Sequence, residues 1–223
     1  CFLASFVADA ITTALGIRHA SHAILSVPAL TPYTLAITLL AALLFGLVGK
    51  YFAVSVHALK QFYAQKIRHD VFRVLIASSL VLVAMIFLGG QAYAGLSTWM
   101  IDAGFAGKAT IVDPVAKFVL TILTLGAGFQ GGEATPLFDI GASLGSVIGQ
   151  LSHIEPSLLA ALGLIAVFGS AANTPITTII LGIELFGVEA VPYYVVAALV
   201  SYYLTGHQGI YSAQKVVTHK YSI

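Results

Sequence analysis

GAGFQGGEATPLFDIGASLG, residues 126–145, lies inside one of the most apolar regions of the chain. It interrupts that region with glycines, a glutamate, a threonine and a proline. A carboxylate and a broken backbone need a physical reason where the surrounding solvent is hydrocarbon, and the composition says that it is. Of 223 residues, 59% are hydrophobic and only 9% charged, with a mean hydropathy of +0.97. An ordinary soluble domain carries about 25% charged residues. So little polar material cannot cover a water-facing surface, which places the chain in the membrane class, with the lipid bilayer as its partner.

Several function classes fall away on the same grounds. The formal net charge is +1, and no basic stripe with interleaved aromatics is present, so nucleic acid is not an expected partner. Cys1 is the sole cysteine, which excludes an internal disulfide and a cysteine-based metal site. The seven histidines, at 19, 22, 57, 69, 153, 207 and 219, are scattered and mostly near expected helix ends; His19 and His22 could share a helix face, but no cysteine or carboxylate completes a ligand set. Loop or headgroup placement is their expected role. No cofactor is implied. The chain opens on Cys1 in the middle of an apolar helical pattern, with no charged region and no cleavage signature of a signal peptide. It reads as a piece of a longer protein.

Apolar runs recur along the chain, but unequally. Phe2–Ile17, Tyr33–Leu59 and Val71–Leu88 come first, and the second of these is long enough for a tilted crossing, which needs roughly 20 residues. Pro114–Leu125, Pro136–Leu151, Pro156–Phe168, Pro175–Phe186 and Val191–Leu204 follow and are mostly shorter than a full span. Prolines open four of those five, as suits a first helical turn whose N–H groups have no partner. The expected fold is all-α, a polytopic membrane protein with many tilted and partial helices. Short segments broken by glycine and proline mark binding sites in transporters, because irregular backbone at membrane depth survives only against protein or a polar cavity. Lys60, Lys66, Arg68 and Arg73 after the long run, and Lys215 and Lys220 near the end, put both regions on the cytoplasmic side by the positive-inside rule.

The quoted stretch then acquires a chemistry. Gly131 and Gly132 precede Glu133-Ala134-Thr135, and Pro136 is expected to begin the next helix. A helix start presents unpaired N–H groups and partial positive charge, which hold an anion without a cationic side chain. A carboxyl at the same place would repel that anion while ionised. Desolvation without a partner favours its neutral form. A carboxyl that changes protonation beside an anion site is what proton-coupled exchange requires.

These residues resemble the CLC family of chloride channels and proton-coupled anion exchangers. The family's usual Gly-x-Phe-x-Pro reads here Gly132-Glu133-Ala134-Thr135-Pro136, with Ala134 in place of phenylalanine. The form with glutamate and threonine is similar to the fluoride-exporting subgroup. GSAANTPITTIILGIELFG, residues 169–187, resembles the family's dimer-interface helices, and Tyr211 in GHQGIYSAQ matches the tyrosine whose hydroxyl faces the central anion. The resemblance spans the chain as the second of the family's two inverted halves. The first half's Gly-Ser-Gly-x-Pro-type loop, and its glutamate within Gly-Lys/Arg-Glu-Gly-Pro, do not occur in these residues.

The resemblance implies transport of halide anions, fluoride first, against protons. Glu133, Ala134, Thr135 and Tyr211 are the anion-binding set, and Glu133 is the proton-coupling candidate. It implies a homodimer, its surface supplied by the helices around Phe2–Ile17 and Pro175–Leu204, in a bacterial plasma membrane. A chloride channel or chloride/proton exchanger of the same fold is the alternative, and a non-transporting membrane scaffold is a second one. An enzyme is not expected, because Glu133 has no neighbouring nucleophile–base set.

The other intramembrane charges need separate readings, since such groups are costly. Asp139, about 120° around the helix from Glu133, is expected to pair helices or bind water. Asp9 and Lys117 are expected to be structural polar contacts, with no sequence rule to pair them, and Glu184 a structural hydrogen-bonding partner. Thr135 is expected to cap its helix as well as face the anion. Gly141, Gly145 and Gly149 form a stripe of small residues at i, i+4 and i+8, which predicts close helix packing.

Overall fold

A computed structural model describes residues 2–16, 22–67, 69–89, 91–129, 131–206, 209–211 and 214. The readings made on Cys1, His19, Arg68, His207, Lys215, His219 and Lys220, and on the side chain of Asp9, lie outside the described residues. Those residues form nine helices and no strands: α1 Phe2–Ala14, α2 Pro32–Lys66, α3 Asp70–Phe87, α4 Trp99–Phe105, α5 Val112–Gly126, α6 Ala134–Ser152, α7 Pro156–Ala172, α8 Pro175–Phe186 and α9 Val191–Thr205. The all-α expectation holds, and the boundaries of the eight apolar runs are met to within a few residues at most ends.

Three differences have physical causes. The helix α2 runs on to Lys66, because lysines are good helix formers and a cation in the last turn suits the helix dipole. Lys60 is therefore a helix residue and not part of a connection. The short helix α4 lies between the third and fourth apolar runs, where no helix was expected; at 7 residues it has too few turns to show a period in sequence. Of the four opening prolines, Pro156 and Pro175 are the first residues of their helices. Pro114 and Pro136 instead stand third, after Val112-Asp113 and Ala134-Thr135. Both places lie within the first turn, where a missing N–H leaves no helical bond unmade.

The core is organised around α7. Its Leu158, Leu159, Leu162, Ile165 and Val167 are wholly buried, as a helix apolar on every side must be. It packs against α2, α6, α8 and α9. Its first turn is closed by Glu155, whose carboxylate accepts from the Ser157 amide and hydroxyl. Its end is set by Asn173, whose left-handed backbone (φ 64°) turns the chain into Pro175. Helices α6 and α7 approach each other backbone to backbone. A Cβ on Gly141 would run into the Gly163 carbonyl oxygen, and one on Gly145 into the Leu159 carbonyl oxygen. The glycine stripe is a packing seam, as its spacing suggests.

Among the described residues, α2 is the one helix long and apolar enough to cross a membrane. Much of the surface of α2 and α3 is large and apolar, including Leu40, Tyr51, Leu75, Ile86 and Phe87. Hydrocarbon or a further protein segment can cover such surface, whereas water would not tolerate patches of that extent.

Candidate anion site

The α5–α6 connection carries the candidate site. Helix α5 ends at Gly126, which lies so close to Leu59 of α2 that a Cβ there would strike it, and Gly128 follows with φ 93°, open to glycine without strain. Helix α6 then opens at Ala134, two residues before the expected Pro136. Glu133 takes the position just before the helix, and its side chain makes no capping bond. Its carbonyl accepts from the Leu137 amide at 3.4 Å. The Ala134 and Thr135 amides precede Leu137, the first helical donor, and have no hydrogen-bond partner among the described residues. Thr135 lies inside the helix and does not cap it, which corrects the reading made from its place before proline. Its hydroxyl has no hydrogen-bond partner among the described residues. The start of α6 thus offers two amides and a hydroxyl as unused donors, with an uncapped carboxyl beside them.

Two cavities meet at this connection, and Leu125 and Gly131 line both. One, of about 200 Å³, is bounded by Glu133, Gly128, Phe129 and Lys60. The other, of about 480 Å³, is bounded by Gly132, Pro136, Thr121, Thr124, Lys117 and the backbone around Tyr93–Leu96. Neither is lined by Tyr211.

Tyr211 is placed by two contacts from elsewhere. The Ile210 amide donates to the Ala171 carbonyl at 2.9 Å, satisfying the C-terminal turn of α7. The His57 imidazole on α2 contacts the Gly209 carbonyl at 3.1 Å. His57 is thus a helix residue holding the tyrosine segment, where a loop or headgroup position was expected. The phenol ring of Tyr211 is about half exposed, at 48%.

The remaining intramembrane charges are resolved less evenly. Asp139 and Lys117 pair with each other: the ammonium is 3.3 Å from Asp139 Oδ2, with both side chains buried. The Lys117 ammonium also donates to the Gly95 carbonyl at 2.9 Å and the Ser97 hydroxyl at 3.0 Å. Neither Asp139 oxygen makes an aligned hydrogen bond, so the lysine is its electrostatic partner and nothing more. Asp139 therefore does join helices, with a partner that sequence could not name. Glu184 is exposed and has no hydrogen-bond partner among the described residues, against its expected structural role. Sequence reading also passed over Lys60 and His57 as site neighbours. The one signal for either was their spacing of three on α2, which puts them on one helix face.

Comparison with known proteins agrees with this fold. Residues 1–206 match the family described as voltage gated chloride channel. The chain is 38% identical over 222 residues to a chloride/fluoride channel protein of Pseudomonas syringae pv. tomato, covering 97% of this chain and 49% of that protein. It is 26% identical over 166 residues to the H(+)/Cl(-) exchange transporter ClcA of Vibrio cholerae, covering 68% of this chain and 35% of the transporter. The crystal structure of a CLC-type fluoride/proton antiporter superposes with a TM-score of 0.89 at 35% identity, over 96% of this chain and 54% of that one. A slow cyanobacterial Cl-/H+ antiporter, at 19% identity and a TM-score of 0.62, shares the fold. The chain spans about half the length of the curated relatives it matches. With the family match over residues 1–206 and the all-helical fold built around a broken helix pair, the chain belongs to the voltage-gated chloride channel family of integral membrane proteins.

Proposed function

We propose that the chain is the second half of a halide/proton antiporter whose anion is fluoride. The observation that carries this reading is the start of α6, where the free amides of Ala134 and Thr135 and the unpartnered Thr135 hydroxyl lie beside the uncapped Glu133. An ion leaves water for a protein site when fixed dipoles replace its hydration shell, and a weakly charged site lets it leave again. Fluoride holds its hydration strongly, so a dense cluster of N–H and O–H donors suits it. Ala134, where phenylalanine stands in the family's usual motif, leaves the approach to those donors open. Glu133 is the group that exchanges the proton, and Tyr211 supplies a hydroxyl from the α7 C-terminal side. The resemblance to a relative named as a chloride/fluoride channel protein and to a fluoride/proton antiporter supports the substrate.

The chloride reading stays in competition because the ClcA relatives are named as H(+)/Cl(-) exchangers. Efflux from liposomes holding the full-length protein, followed with fluoride and chloride electrodes and a pH electrode, separates the two. Fluoride flux far above chloride, with proton movement in the opposite direction, is the expected result. Greater chloride flux overturns the fluoride assignment and leaves the anion site. In the same assay Glu133→Gln is expected to abolish the proton movement that accompanies the anion. Proton coupling equal to the parent's would remove Glu133 from the proton path.

The contact between His57 and Gly209 sets the Tyr211 segment against the end of α2 that carries Lys60 and Lys66. That supports a cytoplasmic face for both, in a bacterial plasma membrane. Ile176, Ile180, Leu185 and Val188 leave an apolar surface on and just after α8, which supports a homodimer through this region. The chemistry is transport and involves no covalent catalysis.

A further inference from the structure

Glu133 presents a difficulty that the transport reading alone does not remove. While ionised, it faces the same small cavity that an anion would have to enter, and like charges repel across low-dielectric surroundings. The cavity's lining supplies an answer. Of its residues, Lys60, Leu125, Gly128, Phe129, Gly131 and Glu133, two are charged, and they are of opposite sign.

Lys60 is held at this cavity by the packing of its own helix. One residue earlier, Leu59 touches Gly126 so closely that no Cβ would fit there. One turn later, Tyr63 is buried with Ala127. One turn earlier, His57 holds the Gly209 carbonyl in front of Tyr211. The last turns of α2 therefore grip the α5–α6 connection and the tyrosine segment together, and Lys60 projects from the middle of that grip. It has no ion-pair partner among the described residues and remains exposed.

Resting on the antiporter reading, we propose that Lys60 is a further anion-binding residue, and that the cavity between Lys60 and Glu133 is a halide subsite next to the α6 amides. About 200 Å³ holds a halide with several waters, since one water needs only on the order of 15 Å³ of such space. A partly hydrated anion dwells there against the lysine before or after it meets Ala134 and Thr135. The cation offsets Glu133 when that carboxyl is ionised. Because Lys60 is exposed, its pull is screened, and the ion is not trapped as it would be by a buried ammonium.

The test uses the full-length protein in liposomes, with Lys60→Met, which keeps the aliphatic stem, and Lys60→Arg, which keeps the charge. The initial rate is measured against halide concentration on the side that Lys60 faces. Lys60→Met is expected to raise KM about fivefold, with the maximal rate within about twofold of the parent, as for loss of one steering charge. Lys60→Arg is expected to restore KM, and the difference between the variants is expected to shrink when an inert salt raises the ionic strength. An unchanged KM in Lys60→Met overturns the proposal, as does an Arg variant as impaired as the Met variant, which would mean shape and not charge. Lys60→Gln serves in place of Lys60→Met if the methionine variant is lost in purification. If the parent moves chloride and not fluoride, the substrate reading falls, while the same KM comparison with chloride still decides the role of Lys60.

Discussion

Replacing Lys117 by methionine is expected to destabilise the full-length protein by about 3–5 kcal/mol, the usual penalty for breaking one partner out of a buried ion pair. The pair is buried on both sides, at 2% and 0% side-chain exposure, so water cannot take over the lost interaction. Asp139 would keep its carboxyl in the core with no hydrogen-bond donor at either oxygen. The Tyr93–Ser97 segment would also lose its anchor, because the ammonium binds the Gly95 carbonyl and the Ser97 hydroxyl. That segment lines the larger cavity beside Gly132 and Pro136, so the damage extends to the approach to the candidate anion site. Asp139→Asn should cost less, about 1–3 kcal/mol, since Lys117 keeps its loop acceptors. The double change Lys117→Met with Asp139→Val removes both charges and should recover most of the loss, because apolar replacement of a whole buried pair is often neutral. Thermal unfolding in detergent, followed by the fraction of monodisperse protein, ranks the three variants. A Lys117→Met protein within about 0.5 kcal/mol of the parent, the scale of a surface change, would show that the pair carries no weight in the fold.

That pairing also marks the limit of what the residues alone disclose. The membrane class follows from charge content, and the helices follow from apolar runs punctuated by glycine and proline, both of which are local. The seam of Gly141, Gly145 and Gly149 is equally local, because a period of four on a helix can only make one flat face. Lys117 and Asp139 lie on different helices, 22 positions apart by subtraction of their numbers. Nothing in their neighbours indicates that α5 and α6 turn those positions toward each other. The same applies to His57 and Gly209, which a tertiary contact brings together across most of the chain. At the candidate site, GGEATP was legible as a break ahead of a helix start, but that start was misplaced. Proline favours the first position statistically, and here Ala134 and Thr135 enter the helix ahead of it. The misplacement is small in residues and large in chemistry, since it turns Thr135 from a cap into a residue whose amide and hydroxyl have no partner among the described residues. Lys60 was hidden for another reason: a cluster of basic residues reads as a cytoplasmic connection, and what it faces depends on how α2 packs against the end of α5.

Gly145→Val is expected to have the second large effect, and it tests the seam that holds the site in place. The Cβ of any residue at 145 would collide with the carbonyl of Leu159, and Gly141 and Gly163 block each other in the same way one turn along. The obstructing atoms are backbone, so no side chain can swing aside and the helices α6 and α7 must separate. Overpacking of this kind costs about 1–3 kcal/mol and occasionally more, and a branched residue between two backbones belongs at the upper end. Part of the favourable term is lost as well, because close backbone contact is what drives helix association in lipid. The effect should not stop at stability. Helix α6 begins with the Ala134 and Thr135 amides, and a rigid helix pushed off α7 in its middle carries its first turn with it. Protein that survives purification is therefore expected to transport more slowly per folded molecule. Leu151→Ala, on the exposed side of the same helix, should leave both quantities near the parent. A Gly145→Val protein that melts and transports like the parent would mean that α6 and α7 are not in backbone contact at this position.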